Sequence, residues 1–107
     1  MLKNIPNIKL PSHKKKYISS NHLFIVNLNK PNLNLKEKLI KFMLKNKIIL
    51  QYHYIPIYKF KIFKGKYINK NAEIYYNSAF SLPIYYGLSN KQQIYIAKQF
   101  ENFFINN

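Results

Sequence analysis

Two β-rich runs with a helix-periodic stretch between them constrain this chain more than any other feature. His22-Leu23-Phe24-Ile25-Val26-Asn27-Leu28 is dense in strand formers and is closed by Asn29-Lys30-Pro31-Asn32, a composition that turns the chain. Its apolar density predicts a central strand. Ile48-Ile49-Leu50-Gln51-Tyr52-His53-Tyr54 is the second run, and Pro56 ends its regular pairing because proline offers no backbone donor. Between the two, Asn34 is placed to cap a helix with Glu37 three positions on, and Leu35, Leu39, Ile40, Phe42 and Met43 recur at helical spacing. The spacing predicts an amphipathic helix over about 35–46.

The flanks extend this unit without adding a second one, since 107 residues make one domain at most. Residues 1–18 carry two prolines and the Lys14-Lys15-Lys16 run, which predicts an extended lead-in with a short strand around Ile8 to Leu10. From Ile55 to Lys70 the pattern is aromatic and basic with neither clean alternation nor a helical stripe, so an irregular loop is expected. Ala72, Tyr75, Tyr76, Ala79 and Phe80 share one face of a short helix, and Ser81-Leu82-Pro83-Ile84-Tyr85 reads as a brief edge strand, where proline is tolerated. After a turn at Gly87, Ser89 and Gln92 form a capping box, and Ile96, Phe100, Phe103 and Phe104 supply the buried stripe of a terminal helix. The hydrophobic fraction of 48% is enough for a real core. The expected class is α+β, a small and mostly antiparallel sheet with helices packed on one face.

The net charge of +15 points by itself toward a polyanion, because clustered cations bind nucleic acid by releasing counterions. All 18 basic residues are lysine, however, and arginine is the side chain whose planar fork suits phosphates and base edges. Saturation with Lys, Asn, Ile, Tyr and Phe matches A- and T-rich codons and accounts for much of the charge. A small basic nucleic-acid-binding module, with lysines on phosphates and aromatic rings stacked on bases, stays open as the alternative. The absence of cysteine removes disulfide scaffolds, thiolate zinc sites and thiol catalysis. The first residues contain no uninterrupted apolar segment and no later run reaches the length of a membrane span, so a cytoplasmic protein with no membrane partner is expected.

Few side chains can carry chemistry. The acids are Glu37, Glu73 and Glu101 alone, each on an expected helix, which leaves little room for general acid–base work by carboxylates. His13, His22 and His53 are not spaced as a metal set, and Gly65 and Gly87 lie too far apart for a phosphate loop. Tyr52-His53-Tyr54-Ile55-Pro56-Ile57-Tyr58-Lys59-Phe60 places His and Tyr at a strand end before a proline loop, where they could reach a ligand at the sheet edge. The same residues also suit an amphipathic rim, with tyrosine bodies buried and hydroxyls wet.

Taken in order, these segments resemble the C-terminal region of the DegT/DnrJ/EryC1/StrS aminotransferases, PLP-dependent enzymes that aminate keto groups on nucleotide sugars. Asn4-Ile5-Pro6-Asn7-Ile8-Lys9-Leu10-Pro11 is similar to the family's lead into its small domain, and Ser19-Ser20-Asn21-His22-Leu23-Phe24 to its His-Leu-Tyr strand. The helix with Lys36 to Lys47, the strand ending His53-Tyr54-Ile55-Pro56-Ile57, then Asn71-Ala72-Glu73, Ser81-Leu82-Pro83 and a closing helix follow in register. The string from His53 to Phe60 is most similar to members acting in pseudaminic acid synthesis, although related enzymes often carry a second histidine where Tyr58 stands. Ser12-His13-Lys14-Lys15-Lys16 does not match the family's Ser-x-His-x-x-Lys context for its Schiff-base lysine, since Ser and His are adjacent and no glycine-rich continuation follows.

The resemblance implies the small domain of a fold-type I aminotransferase, with 1–18 leading in from a large domain and 19–107 forming the C-terminal small domain. It implies that the large domain, in cis or in trans, carries the lysine, the acidic partner of the pyridine nitrogen and most phosphate contacts. This chain would then hold no catalytic, cofactor-binding or metal residues and would not be competent alone. For the intact enzyme it implies pyridoxal 5'-phosphate, glutamate-dependent transamination of a UDP-linked 4-keto-6-deoxy sugar, and a homodimer. His53, Tyr54 and Tyr58 would lie near the mouth of the substrate pocket as positioning groups.

Overall fold

The computed structural model describes residues 1–12, 18–63 and 67–106. Residues 13–17, and with them the whole Lys14-Lys15-Lys16 run, lie outside the described residues. Strands β1 (Ile8–Lys9), β2 (Phe24–Leu28), β3 (Gln51–Tyr52) and β4 (Ala79–Leu82) form one sheet, and helices α1 (Leu33–Lys45), α2 (Lys70–Ser78) and α3 (Asn90–Ile105) complete the fold. Short 3-10 turns occupy Leu2–Asn4 and Ile57–Lys59. The sheet order is β1-β2-β4-β3 and every pairing is antiparallel. The α+β reading holds, and β2 is an interior strand as its composition predicts.

Register puts the core on one face. Val26 lies opposite Phe80, Phe24 opposite Leu82, and Ile8 opposite Leu28, so these side chains point the same way. They meet Leu39, Ile40 and Met43 of α1 and Ile96, Phe100 and Phe103 of α3 in a single apolar cluster. The Phe80 and Phe100 rings stack with centroids 5.9 Å apart, and Phe42 meets Phe103 at 5.5 Å. Ile5 and Ile8 are buried in the same cluster, so the expected lead-in contributes to the core.

Four local expectations are corrected. The cap of α1 is Asn32, not Asn34: the Asn32 side chain accepts from the Leu35 amide at 3.0 Å. Its own amide donates to the Asn77 carbonyl at 3.1 Å, a tertiary tie that fixes where the helix begins and leaves Glu37 too far along to close a box. The second β run shrinks to Gln51–Tyr52 because its first residue ends α1. Lys47 adopts a left-handed φ of 63°, the Ile48 amide donates to Met43 O at 2.9 Å and the Lys47 amide to Leu44 O at 3.0 Å, a Schellman closure.

The third and fourth corrections concern the region after Asn69, whose side chain caps α2 by accepting from the Ala72 amide. Ala79 and Phe80 are not helical; they open β4, where Phe80 is flanked by Val26 and Tyr52 and is fully buried. That strand lies between β2 and β3 and is therefore interior, not the edge strand expected for 81–85. Pro83 falls just beyond its last residue, where a missing amide costs no ladder bond. The terminal helix agrees with its sequence signal, since Ser89 and Gln92 form the reciprocal capping box and Ile96, Phe100 and Phe103 are buried with Phe104 partly so. No helix among the described residues is long and apolar enough to cross a membrane.

Candidate functional site

The chain leaves the sheet at His53 and runs out through a proline-bearing segment to the 3-10 turn Ile57–Lys59. The three candidate residues on this segment fare differently. His53 is only 2% exposed, and neither ring nitrogen meets a hydrogen-bond partner among the described residues. Burial pushes its pKa below the usual histidine value and the charge of Lys36 adds to the effect, so the ring is neutral at physiological pH. Tyr54 is 69% exposed and its ring meets His53 edge-on at 4.6 Å. Tyr58 is half-buried and turns inward: its hydroxyl donates to Glu73 Oε1 at 2.8 Å, with the Asn69 carbonyl at 3.3 Å as a second acceptor.

Glu73, in the first turn of α2, is engaged by both oxygens, because Oε2 accepts from Lys59 Nζ at 2.8 Å. The Lys59 and then the Tyr58 hydrogen bonds hold its carboxyl below the usual range. Tyr58 is shifted up, first by burial and then by its bond to Glu73. The Lys59 amine also faces the Tyr76 ring, 5.1 Å from its centroid.

A second amine faces the Tyr76 ring, from a residue that sequence reasoning did not single out. Lys36 is completely buried on α1. Its Nζ donates to the Tyr76 carbonyl and, at 3.4 Å, to the Ala79 carbonyl, and it sits 4.4 Å from the Tyr76 ring centroid and 5.0 Å from that of Tyr52. No carboxylate among the described residues pairs with it. Burial lowers its pKa from 10.5 to about 8, against a small opposing pull from Glu37. The signal was present in the spacing: position 36 lies three, four and seven residues before Leu39, Ile40 and Met43, on the buried stripe itself.

Around this network the surface is apolar. Tyr54, Ile57, Phe60, Ile62, Tyr67 and Tyr75 are all substantially exposed. Exposed hydrophobics are ordinary one at a time, and these cluster along one stretch of chain. Two cavities of about 600 and 810 Å³ lie elsewhere, sharing Leu82, Pro83, Ile84, Tyr85, Leu88 and Ile96 in their walls, and neither includes His53, Tyr54 or Tyr58. Among the described residues no group of three or more His, Cys, Asp or Glu could hold a metal ion.

Comparison with known proteins identifies the fold and the family. Over 92 residues the chain is 31% identical to the UDP-4-amino-4,6-dideoxy-N-acetyl-beta-L-altrosamine transaminase of Helicobacter pylori, a match covering 79% of this chain and 24% of the relative. The structure of H. pylori PseC, an aminotransferase involved in pseudoaminic acid biosynthesis, superposes with a TM-score of 0.85 at 24% identity, covering 99% of this chain and 29% of PseC. The aminotransferase TlmJ of Streptoalloteichus hindustanus gives a TM-score of 0.87 at 12% identity over 98% of this chain and 28% of its own, a likeness of fold alone. The chain thus spans about a quarter of the length of these relatives. A family model matches residues 1–101, nearly the whole sequence, and on that ground the chain belongs to the DegT/DnrJ/EryC1/StrS aminotransferase family.

Proposed function

We propose that this chain serves as the C-terminal small domain of a PLP-dependent nucleotide-sugar aminotransferase, closing one side of an active site whose chemistry is carried by a large domain in cis or in trans. One observation carries the reading: the family match runs through residues 1–101, yet the chain accounts for only 24% of the matched relative. The boundary expected at residue 18, a homodimeric assembly, a cytoplasmic setting, and glutamate-dependent transamination of a UDP-linked 4-keto-6-deoxy sugar in pseudaminic acid or surface-glycan synthesis all belong to the same proposal.

When bound, pyridoxal phosphate supplies the electron sink for such transaminations. The described residues of this chain do not fit that group by themselves. The buried amine, that of Lys36, is enclosed by two carbonyls and two tyrosine rings, and Glu73 spends both carboxylate oxygens on Tyr58 and Lys59. What the chain offers is a surface. Tyr54 and Ile57 project an apolar rim able to exclude water from the mouth of a pocket, while His53, neutral and enclosed, supports Tyr54 from behind. His53, Tyr54 and Tyr58 are thus positioning groups in this reading.

The test is reconstitution. The purified chain alone is expected to show no transaminase turnover with PLP, glutamate and UDP-linked keto sugars. Added to a family large domain lacking its own small domain, it is expected to bind and restore turnover. Turnover by the chain alone, or failure to associate combined with tight single-stranded RNA binding of steep salt dependence, would overturn the reading in favour of a different class.

A further inference from the structure

Among the described residues, the segment from Ile55 to Phe63 makes its side-chain hydrogen bonds to the rest of the protein at one place, the start of α2, and besides these Pro56 is buried. The segment's backbone bonds are local: Lys59 donates to Pro56 O at 2.9 Å, Phe60 to Ile57 O at 3.1 Å and Phe63 to Phe60 O at 3.0 Å. Among the described residues, the side-chain hydrogen bonds that leave the segment come from Tyr58 and Lys59 alone, and both reach Glu73. Most of the remaining side chains, including Ile57, Phe60 and Ile62, are exposed. Glu73 in turn sits on a helix whose start is fixed by the Asn69 cap and whose far end continues into the central strand β4.

We propose that Glu73 is a positioning residue, which through Tyr58 and Lys59 fixes the turn at 57–59 against α2 and so sets where Tyr54 and Ile57 stand at the substrate mouth. The part concerning substrate rests on the aminotransferase reading above; the clamp itself does not. Two consequences separate this from a generic surface ion pair. The Lys59 side chain is 39% exposed, so its pairing with Glu73 contributes little by itself, and most of the hold comes from the Tyr58 hydroxyl on Oε1. Tyr58 therefore has its single proton committed to Glu73 and acts on substrate through the loop it anchors, not by donating to the sugar.

The test uses the full chain and amide hydrogen exchange at Lys59, Phe60 and Phe63, the three amides that the turn protects. Glu73→Ala should speed their exchange by roughly tenfold or more while the amides of α1 and α3 keep their rates. Glu73→Gln still offers an oxygen to Tyr58 and should retain most of the protection. Tyr58→Phe, which leaves the carboxylate and Lys59 intact, should reproduce the Ala result, and it carries the test should Glu73→Ala fail to fold. Unchanged exchange in Glu73→Ala and Tyr58→Phe overturns the clamp whatever the protein catalyses. In the reconstituted enzyme, Glu73→Ala should raise KM for the sugar nucleotide several-fold with kcat less affected. Faster exchange with an unchanged KM overturns the substrate role and leaves the clamp standing, whereas a wild-type reconstitution without turnover refutes the aminotransferase reading instead.

Discussion

The enclosed amine of Lys36 makes a pH dependence of stability that can be worked out in advance. Its pKa falls from 10.5 to about 8 in the fold because burial disfavours the charged form. Below pH 8 the amine is protonated in both states, and the folded state bears the full cost of a buried cation. As pH rises through 8 the folded protein sheds the proton while the unfolded chain keeps it until about 10.5. The unfolded state then binds more protons, so stability rises with pH, by about 2 kcal/mol between pH 7 and 9.5. Burial raises the neighbouring Tyr52 hydroxyl above its usual value, away from that window. The variant Lys36→Met keeps the length and apolar stem but cannot titrate. Urea denaturation followed by circular dichroism at half-unit steps from pH 7 to 9.5 should give a wild-type curve that climbs relative to Lys36→Met by that amount. Two curves that run parallel would mean that the amine is hydrated in solution, and that the reasoning from burial is wrong.

Two further outcomes follow from single residues. Lys47 holds a φ of 63°, where a Cβ is strained and glycine is not, so Lys47→Gly should raise stability by about 1 kcal/mol, read as a higher thermal midpoint. His53 has a folded-state pKa below its usual value and no hydrogen-bond partner among the described residues, so stability should fall as pH drops through the unfolded histidine range of about 6.5 toward 5. His53→Leu should abolish that acid-side loss without destabilising the protein at pH 7.5, and a loss of about 2 kcal/mol or more at pH 7.5 would show that the ring nitrogens do make bonds that matter.

What could be read from the sequence was whatever is decided locally. The box of Ser89 with Gln92 lies within four residues, and the stripe of Ile96, Phe100 and Phe103 repeats over several turns, so neither needs knowledge of the rest of the chain. Ala79 and Phe80 continue the helical spacing of Tyr75 and Tyr76 equally well; their fate is settled by pairing with Val26 and Asn27, more than fifty positions earlier. Asn32 and Asn34 are equivalent as caps in sequence, and the bond from the Asn32 amide to Asn77 chooses between them. The site divides in the same way. His53 and Tyr54 are marked by their place at a strand end before a proline. That Tyr58 answers to Glu73, fifteen residues on, has no local signature, because the intervening loop carries no periodicity to show which way it folds back.

No connector separates α2 from β4: Ser78 ends the helix and Ala79, with φ −83° and ψ 137°, already has strand geometry. The Ser78 hydroxyl donates within its own helix to Ile74 O at 2.8 Å and lies 3.2 Å from Asn27 Oδ1 on β2, bracing the joint. A helix welded to an inner strand in this way behaves as a crank, with no slack to absorb a tilt. Any body that leans on the outer side of α2, where Ile74 and Tyr75 face solvent, must match its angle or twist the ladder on both sides of Phe80.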